Sequence, residues 1–213
     1  LVTALPRTWI NHIQSKGIKS SIYFCNLNLS LLAIINVFIG CRLFFQFLFL
    51  AKFGRNPDSS YVAFMDLQHK NLPDKGENKQ HDIISWYNNS KIKNPKIKEI
   101  WVQAKVNKKY NPESGLIVSQ NIFPKIKKIP SFITRVIISF FVTIYGISIG
   151  RWWYGYLYRE SISLHYTSLI SNDSLAEDYY FHNSGWFFKP LWTYEVEKKG
   201  SNVILYFYST NMK

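Results

Sequence analysis

The run His182-Asn183-Ser184-Gly185-Trp186 holds the residue types best suited to chemistry in this chain. An imidazole titrates near neutrality and can take or give a proton. The Asn183 amide and the Ser184 hydroxyl can hydrogen-bond a sugar or a diphosphate, Trp186 can stack on a sugar face, and Lys189 adds a positive charge close behind. The competing reading puts Tyr180, Phe181, Trp186 and Phe187 in the core and leaves Asn183-Ser184-Gly185 as a turn between two helices. Two other polar groups stand past the ends of expected strands. Ser209-Thr210-Asn211 follows a strand at Val203–Tyr208, and Asp66 lies near the end of one at Tyr61–Leu67. Open α/β sheets bind ligands outside the carboxyl ends of their strands. A carboxylate there suits a sugar hydroxyl or a metal ion, although a single Asp is more often just a turn-former.

Several chemistries are excluded by what the spacing lacks. There is no Walker A sequence and no GxGxxG, which removes P-loop kinases and dinucleotide oxidoreductases. Neither the 5 histidines nor the 2 cysteines, Cys25 and Cys41, form a metal-ligand spacing or a disulfide framework, and no GxSxG elbow is present. No metal and no cofactor are expected, and a reducing cytosol suits the two thiols.

These groups must be held by an α/β framework. Leu191–Lys199 has helical spacing, Gly200 supplies the stop, and Val203–Tyr208 follows as a strand. The same order is expected at Leu5–Ser15, Lys16-Gly17 and a strand at Ile18–Phe24, so the α-to-β grammar of a parallel sheet occurs twice. Further strands are expected at Ile100–Val106 and Gly115–Ser119. A short helix at His81–Asn89 would turn Ile83, Ile84 and Tyr87 to one side. Ser131 is placed to cap a long apolar helix over 131–158. Ser174-Leu175-Ala176-Glu177 has the pattern of a capping box opening the next helix.

Leu27–Phe53 is the most apolar run, broken by Gly40, Arg42 and Gln46. It suits a buried or membrane-apposed helix, or a transmembrane span burdened by a central arginine. The formal charge is +13, and most of the excess lies between Lys91 and Arg135. Lys125, Lys127, Lys128 and Arg135 precede the apolar stretch Val136–Gly150, and Arg151, Trp152 and Trp153 follow it. Basic residues beside interfacial aromatics match a helix lying against an anionic leaflet. A core helix with an aromatic end is the alternative. Basic and aromatic residues also bind single-stranded nucleic acid. Here they are separated by the apolar helix, so nucleic acid is not the expected partner.

The block HNSGWFFKPLWTYEVEKKGSNVILYFYSTN resembles part of the polysaccharide-biosynthesis PFTS-motif family of surface-carbohydrate glycosyltransferases. Weaker similarity continues through Tyr61–Leu67, His81–Tyr87 and Gly150-Arg151-Trp152-Trp153; the Pro-Phe-Thr-Ser motif itself is absent. The resemblance implies one Rossmann-like α/β domain over 1–213 with a mostly parallel sheet and flanking helices. That domain would be similar to the amino-terminal lobe of a two-lobed GT-B-like glycosyltransferase and a piece of a longer protein. It implies sugar transfer from a nucleotide-sugar to a lipid-linked or growing glycan acceptor. His182 would be the catalytic candidate, with Asn183, Ser184, Trp186, Lys189, Ser209, Thr210, Asn211 and Asp66 as substrate-binding candidates. With no DxD motif in the sequence, no metal is expected for this reaction. The expected location is peripheral, on the cytoplasmic face of the inner membrane, against an anionic surface. An integral membrane subunit without catalysis of its own is the alternative.

Overall fold

The computed structural model describes residues 15–16, 22–67, 72–73, 83–104, 115–182 and 189–206, without the side chains of 22–28 and 182. In chain order the elements are α1 (Ile22–Phe53), β1 (Tyr61–Leu67), α2 (Ile83–Asn89), β2 (Glu99–Ala104) and β3 (Leu116–Ser119). They continue with α3 (Ile129–Ser148), α4 (Tyr154–Ser168), a 3-10 turn at Asn172–Ser174, β4 (Asp178–His182), α5 (Leu191–Lys198) and β5 (Asn202–Tyr206). They divide into a sheet unit, residues 47–129 with 166–213, and a helical unit, residues 1–46 with 130–165.

In the sheet unit all pairings are parallel and the strand order is β3-β2-β1-β4-β5. β1 is the central strand, and Tyr61 through Met65 are all buried. A parallel strand covered on both faces has this near-continuous apolar run rather than alternation. One face of the sheet packs Val62, Phe64, Val102 and Tyr180 against Ile83, Ile84 and Tyr87 of α2. The α2 residues are the three that helical spacing turned to one side. The other face carries Tyr179 and Phe181, whose rings stand 5.3 and 5.7 Å from Trp192 of α5. Trp192 also meets Phe123 edge-on at 4.9 Å, and Phe123 with Tyr166 encloses Phe47 near the end of α1. Each of these fully buried apolar side chains contributes about 1.5–3 kcal/mol relative to exposure.

The α5-to-β5 unit forms as expected. Gly200 ends it at φ +100, with open space where a Cβ would stand. Backbone conformation alone therefore demands glycine. Gly200→Val is expected to cost about 1–2 kcal/mol, the penalty for a side chain in a left-handed conformation; an unchanged denaturation midpoint would refute this. Beside it, the Lys199 Nζ donates to the carbonyls of Thr167, Ser168 and Ile170 at 2.9, 2.9 and 2.6 Å. A cation thus satisfies the last carbonyls of α4. Burial pushes that ammonium below the usual lysine range.

Three sequence expectations are corrected. Residues 22–24, expected in a strand, begin α1, whose long apolar run carries helix through them. The helix expected over 131–158 is two helices. Gly150 at φ +83 turns the chain back, and Arg151 donates its N–H to the Gly146 carbonyl, closing the end of α3. The capping box at Ser174–Glu177 opens no helix. Glu177 donates its N–H to the Tyr61 carbonyl and accepts from the Asn94 amide through its carboxylate, so it leads into β4. The remaining part of the helix expected at Leu5–Ser15, apart from Ser15, lies outside the described residues.

In the helical unit, Phe44 of α1 meets Phe132 of α3, with ring centroids 5.6 Å apart. A Cβ on Gly155 of α4 would stand 2.5 Å from the Ala33 carbonyl oxygen of α1, and one on Gly146 of α3 would meet the Tyr154 ring. Glycine permits these approaches. Ser139 Oγ and His165 Nε2 are 2.8 Å apart, and the Asn36 amide donates to the Leu32 carbonyl.

Candidate functional site

The strand order reverses its direction of growth at β1: β2 and β3 lie on one side of it, β4 and β5 on the other. At such a switch point the connections leaving neighbouring strands diverge, opening a crevice outside their carboxyl ends. The residues at that edge are Met65, Asp66 and Leu67 of β1 with Phe181 and His182 of β4. Met65 pairs with Phe181, so Asp66 and His182 are the next residues on the two strands.

Asp66 departs from its strand in three ways. It is the one exposed residue of β1. Its φ is 52°, and no other non-glycine among the described residues has a positive φ. It also lies in a bulge, because the step from Phe64 to Leu67 on β1 matches the shorter step from Val102 to Ala104 on β2. Aspartate tolerates the left-handed region better than most residues, yet the conformation still costs of order 1–3 kcal/mol. Bulges of this kind re-aim a side chain and concentrate beside active sites. A carboxylate is thus turned out of the sheet at the mouth of the switch point.

The other candidates divide. His182 ends β4 and pairs with Tyr206 of β5, so its backbone stands at the same edge. Asn183, Ser184, Trp186, Ser209, Thr210 and Asn211 lie outside the described residues. Lys189 is exposed just ahead of α5, its Nζ bonded to the Glu197 carboxylate and 4.6 Å over the Tyr194 ring. Its charge is engaged on the surface of that helix. Tyr206 is a residue that sequence reasoning did not single out. Burial pushes its hydroxyl up to about 12, so it remains a protonated donor beside His182 on the strand ladder. Its only sequence signal was its position near the end of an aromatic strand.

The basic candidates belong to two units. In the sheet unit Ile122, Phe123 and Ile126 are buried while Lys127 and Lys128 are exposed and Lys125 is half-buried, which resolves the lysine-apolar alternation into anchors and charges. In the helical unit Arg135 and Arg151 are exposed, Arg151 donates to the Tyr154 hydroxyl at 3.3 Å, and Trp152 and Trp153 meet edge-on at 6.1 Å.

Residues 133–213 match the family model described as polysaccharide biosynthesis PFTS motif protein. The resemblance seen in the sequence is therefore present over the carboxyl-terminal part of the chain, and the blocks at Tyr61–Leu67 and His81–Tyr87 fall outside the match. The matched stretch includes β4, α5 and β5, hence one wall of the switch point. It indicates polysaccharide biosynthesis as the process. No curated protein and no solved structure matches the chain.

Proposed function

We propose that the chain is part of a glycosyltransferase of polysaccharide biosynthesis, moving a sugar from a nucleotide-sugar donor to a lipid-linked or growing glycan. The observation that carries this reading is Asp66, a carboxylate held in a bulge at φ 52° at the carboxyl edge between β1 and β4. In the proposed role Asp66 accepts hydrogen bonds from acceptor hydroxyls. His182, on the neighbouring strand, is the candidate base for the attacking hydroxyl, with Asn183, Ser184, Trp186 and Lys189 as further sugar or phosphate contacts. Removing the hydroxyl proton as the new glycosidic bond forms, while the nucleoside diphosphate leaves, is ordinary general-base work for an imidazole. The sheet would serve as the acceptor lobe of a two-lobed enzyme, whose donor contacts come mainly from a second lobe. Lys125, Lys127 and Lys128 of the sheet unit would face an anionic surface on the cytoplasmic side of the membrane.

The test supplies full-length protein with labelled nucleotide-sugars and a membrane extract containing lipid-linked glycans. The reading expects label in the extended glycan. Cells lacking the protein that lose the polysaccharide, while the purified protein transfers no sugar, would instead support a non-catalytic subunit.

A further inference from the structure

We infer that the helical unit is embedded in bilayer hydrocarbon, in place of the peripheral attachment that the sequence favoured. The inference requires the chain to work at a membrane but is independent of the chemistry at the sheet edge.

The two longest helices are arranged inside out. On α1 the residues turned inward are Leu29, Ala33, Asn36 and Gly40, and those turned outward include Leu31, Ile34, Ile35 and Phe38. On α3 the inward stripe is Phe132, Val136, Thr143 and Gly146, whereas Ile137, Ile138, Phe141, Val142, Ile144 and Tyr145 face out. Phe38 is 71% exposed, and Phe141 and Tyr145 are each 67% exposed. A helix on the surface of a water-soluble fold turns its apolar stripe inward. Small and polar residues at the helix contacts, with large apolar ones outside, are the arrangement found in lipid. Two polar side chains among these helices are bonded: Asn36 to the Leu32 carbonyl and Ser139 to His165.

The charges select a bilayer over a protein partner. Phe44 lies against Phe132, and Ala33 lies against Gly155 just past the end of α3, so α1 and α3 run antiparallel. That pairing sets Arg135 level with Arg42. Gly40, close to the Cα of Arg159, brings Arg159 to within about a helical turn of the same level. Three arginines thus form one band. The outward apolar residues of α3, and Leu31 to Ile39 of α1, lie on one side of it, ending at Arg151-Trp152-Trp153, while the exposed Phe45 of α1 lies just beyond it. From Arg135 to Ile149 the helix rises about 20 Å at roughly 1.5 Å per residue. Arginines reaching outward at both ends extend this toward the hydrocarbon thickness of about 30 Å. Cations and tryptophans bracketing an apolar belt are complementary to anionic headgroups around a hydrocarbon layer.

The experiment washes membranes containing the full-length protein with high salt and then alkaline carbonate, and labels parallel samples with a photoreactive group on a lipid tail. Embedding predicts retention through both washes, release by detergent, and labelling concentrated in peptides around Phe38 and Phe141. Release by salt or carbonate would overturn it. So would a carbonate-resistant pellet without lipid-tail label, which would mean that a protein partner or a second copy covers the face. Ile138→Lys with Phe141→Lys should reduce the retained fraction several-fold. If that variant fails to fold, the wild-type labelling pattern alone decides.

Discussion

Asp66→Asn in the full-length protein will lower glycan transfer by about a hundredfold, the lower end of what one positioned proton-transfer or charged group supplies, while leaving stability nearly unchanged. Asparagine keeps the side-chain shape and tolerates the left-handed backbone, so the φ of 52° costs it no more than it costs aspartate. Asp66→Gly will lower transfer at least as much, although glycine adopts this φ without strain. Transfer separates two explanations. A residue kept only to make a turn would leave the glycine variant with transfer intact. A residue held for its chemistry loses transfer while the variant stays folded. Chemical denaturation and the transfer assay, applied to the same preparations, read both quantities.

Gly155→Leu will lose about 3 kcal/mol or more of stability in detergent, at or above the upper end of ordinary overpacking costs. A Cβ at this position stands 2.5 Å from the Ala33 carbonyl oxygen and 2.8 Å from its Cα, and both are backbone of α1. Neither can rotate away, so α1 and α4 must separate. Gly40→Ala offers a graded comparison. Its Cβ would meet the Tyr158 ring at 2.6 Å, and a ring can shift, so about 1 kcal/mol is expected. Equal losses at the two positions, or a Gly155→Leu protein that melts like wild type, would contradict this close packing of α1 on α4.

What was legible in the sequence was local. The α2 face showed in the spacing of Ile83, Ile84 and Tyr87, and the α5–β5 unit in its helix, glycine and aromatic strand. β4 was missed because its partners are remote. Tyr179, Tyr180 and Phe181 pair with Ala63, Phe64 and Met65, more than a hundred residues earlier, and the acid-rich lead-in at Glu177-Asp178 imitates a helix start. Strand formation depends on such neighbours more than on intrinsic preference. The break between α3 and α4 was likewise hidden, since only the fold reveals that Gly150 takes a positive φ. Asp66 was noticed as a carboxylate near a strand end. Its bulge, its strain and its place at the same sheet edge as the end of β4 follow from the strand order and register, which no local pattern encodes. In α1 the composition was plain, but which side faced inward was decided by contacts such as Gly155 on Ala33.

Amide hydrogen exchange of the full-length protein, with and without a nucleotide-sugar and a lipid-linked glycan, will show which edge of the sheet binds ligand. Ligand bound at the β1–β4 switch point should slow exchange in peptides covering Met65–Leu67 and Phe181–His182, leaving the opposite edge around Glu99 and Asp178 unchanged. Protection at that opposite edge, or at neither edge while sugar is transferred, would contradict it.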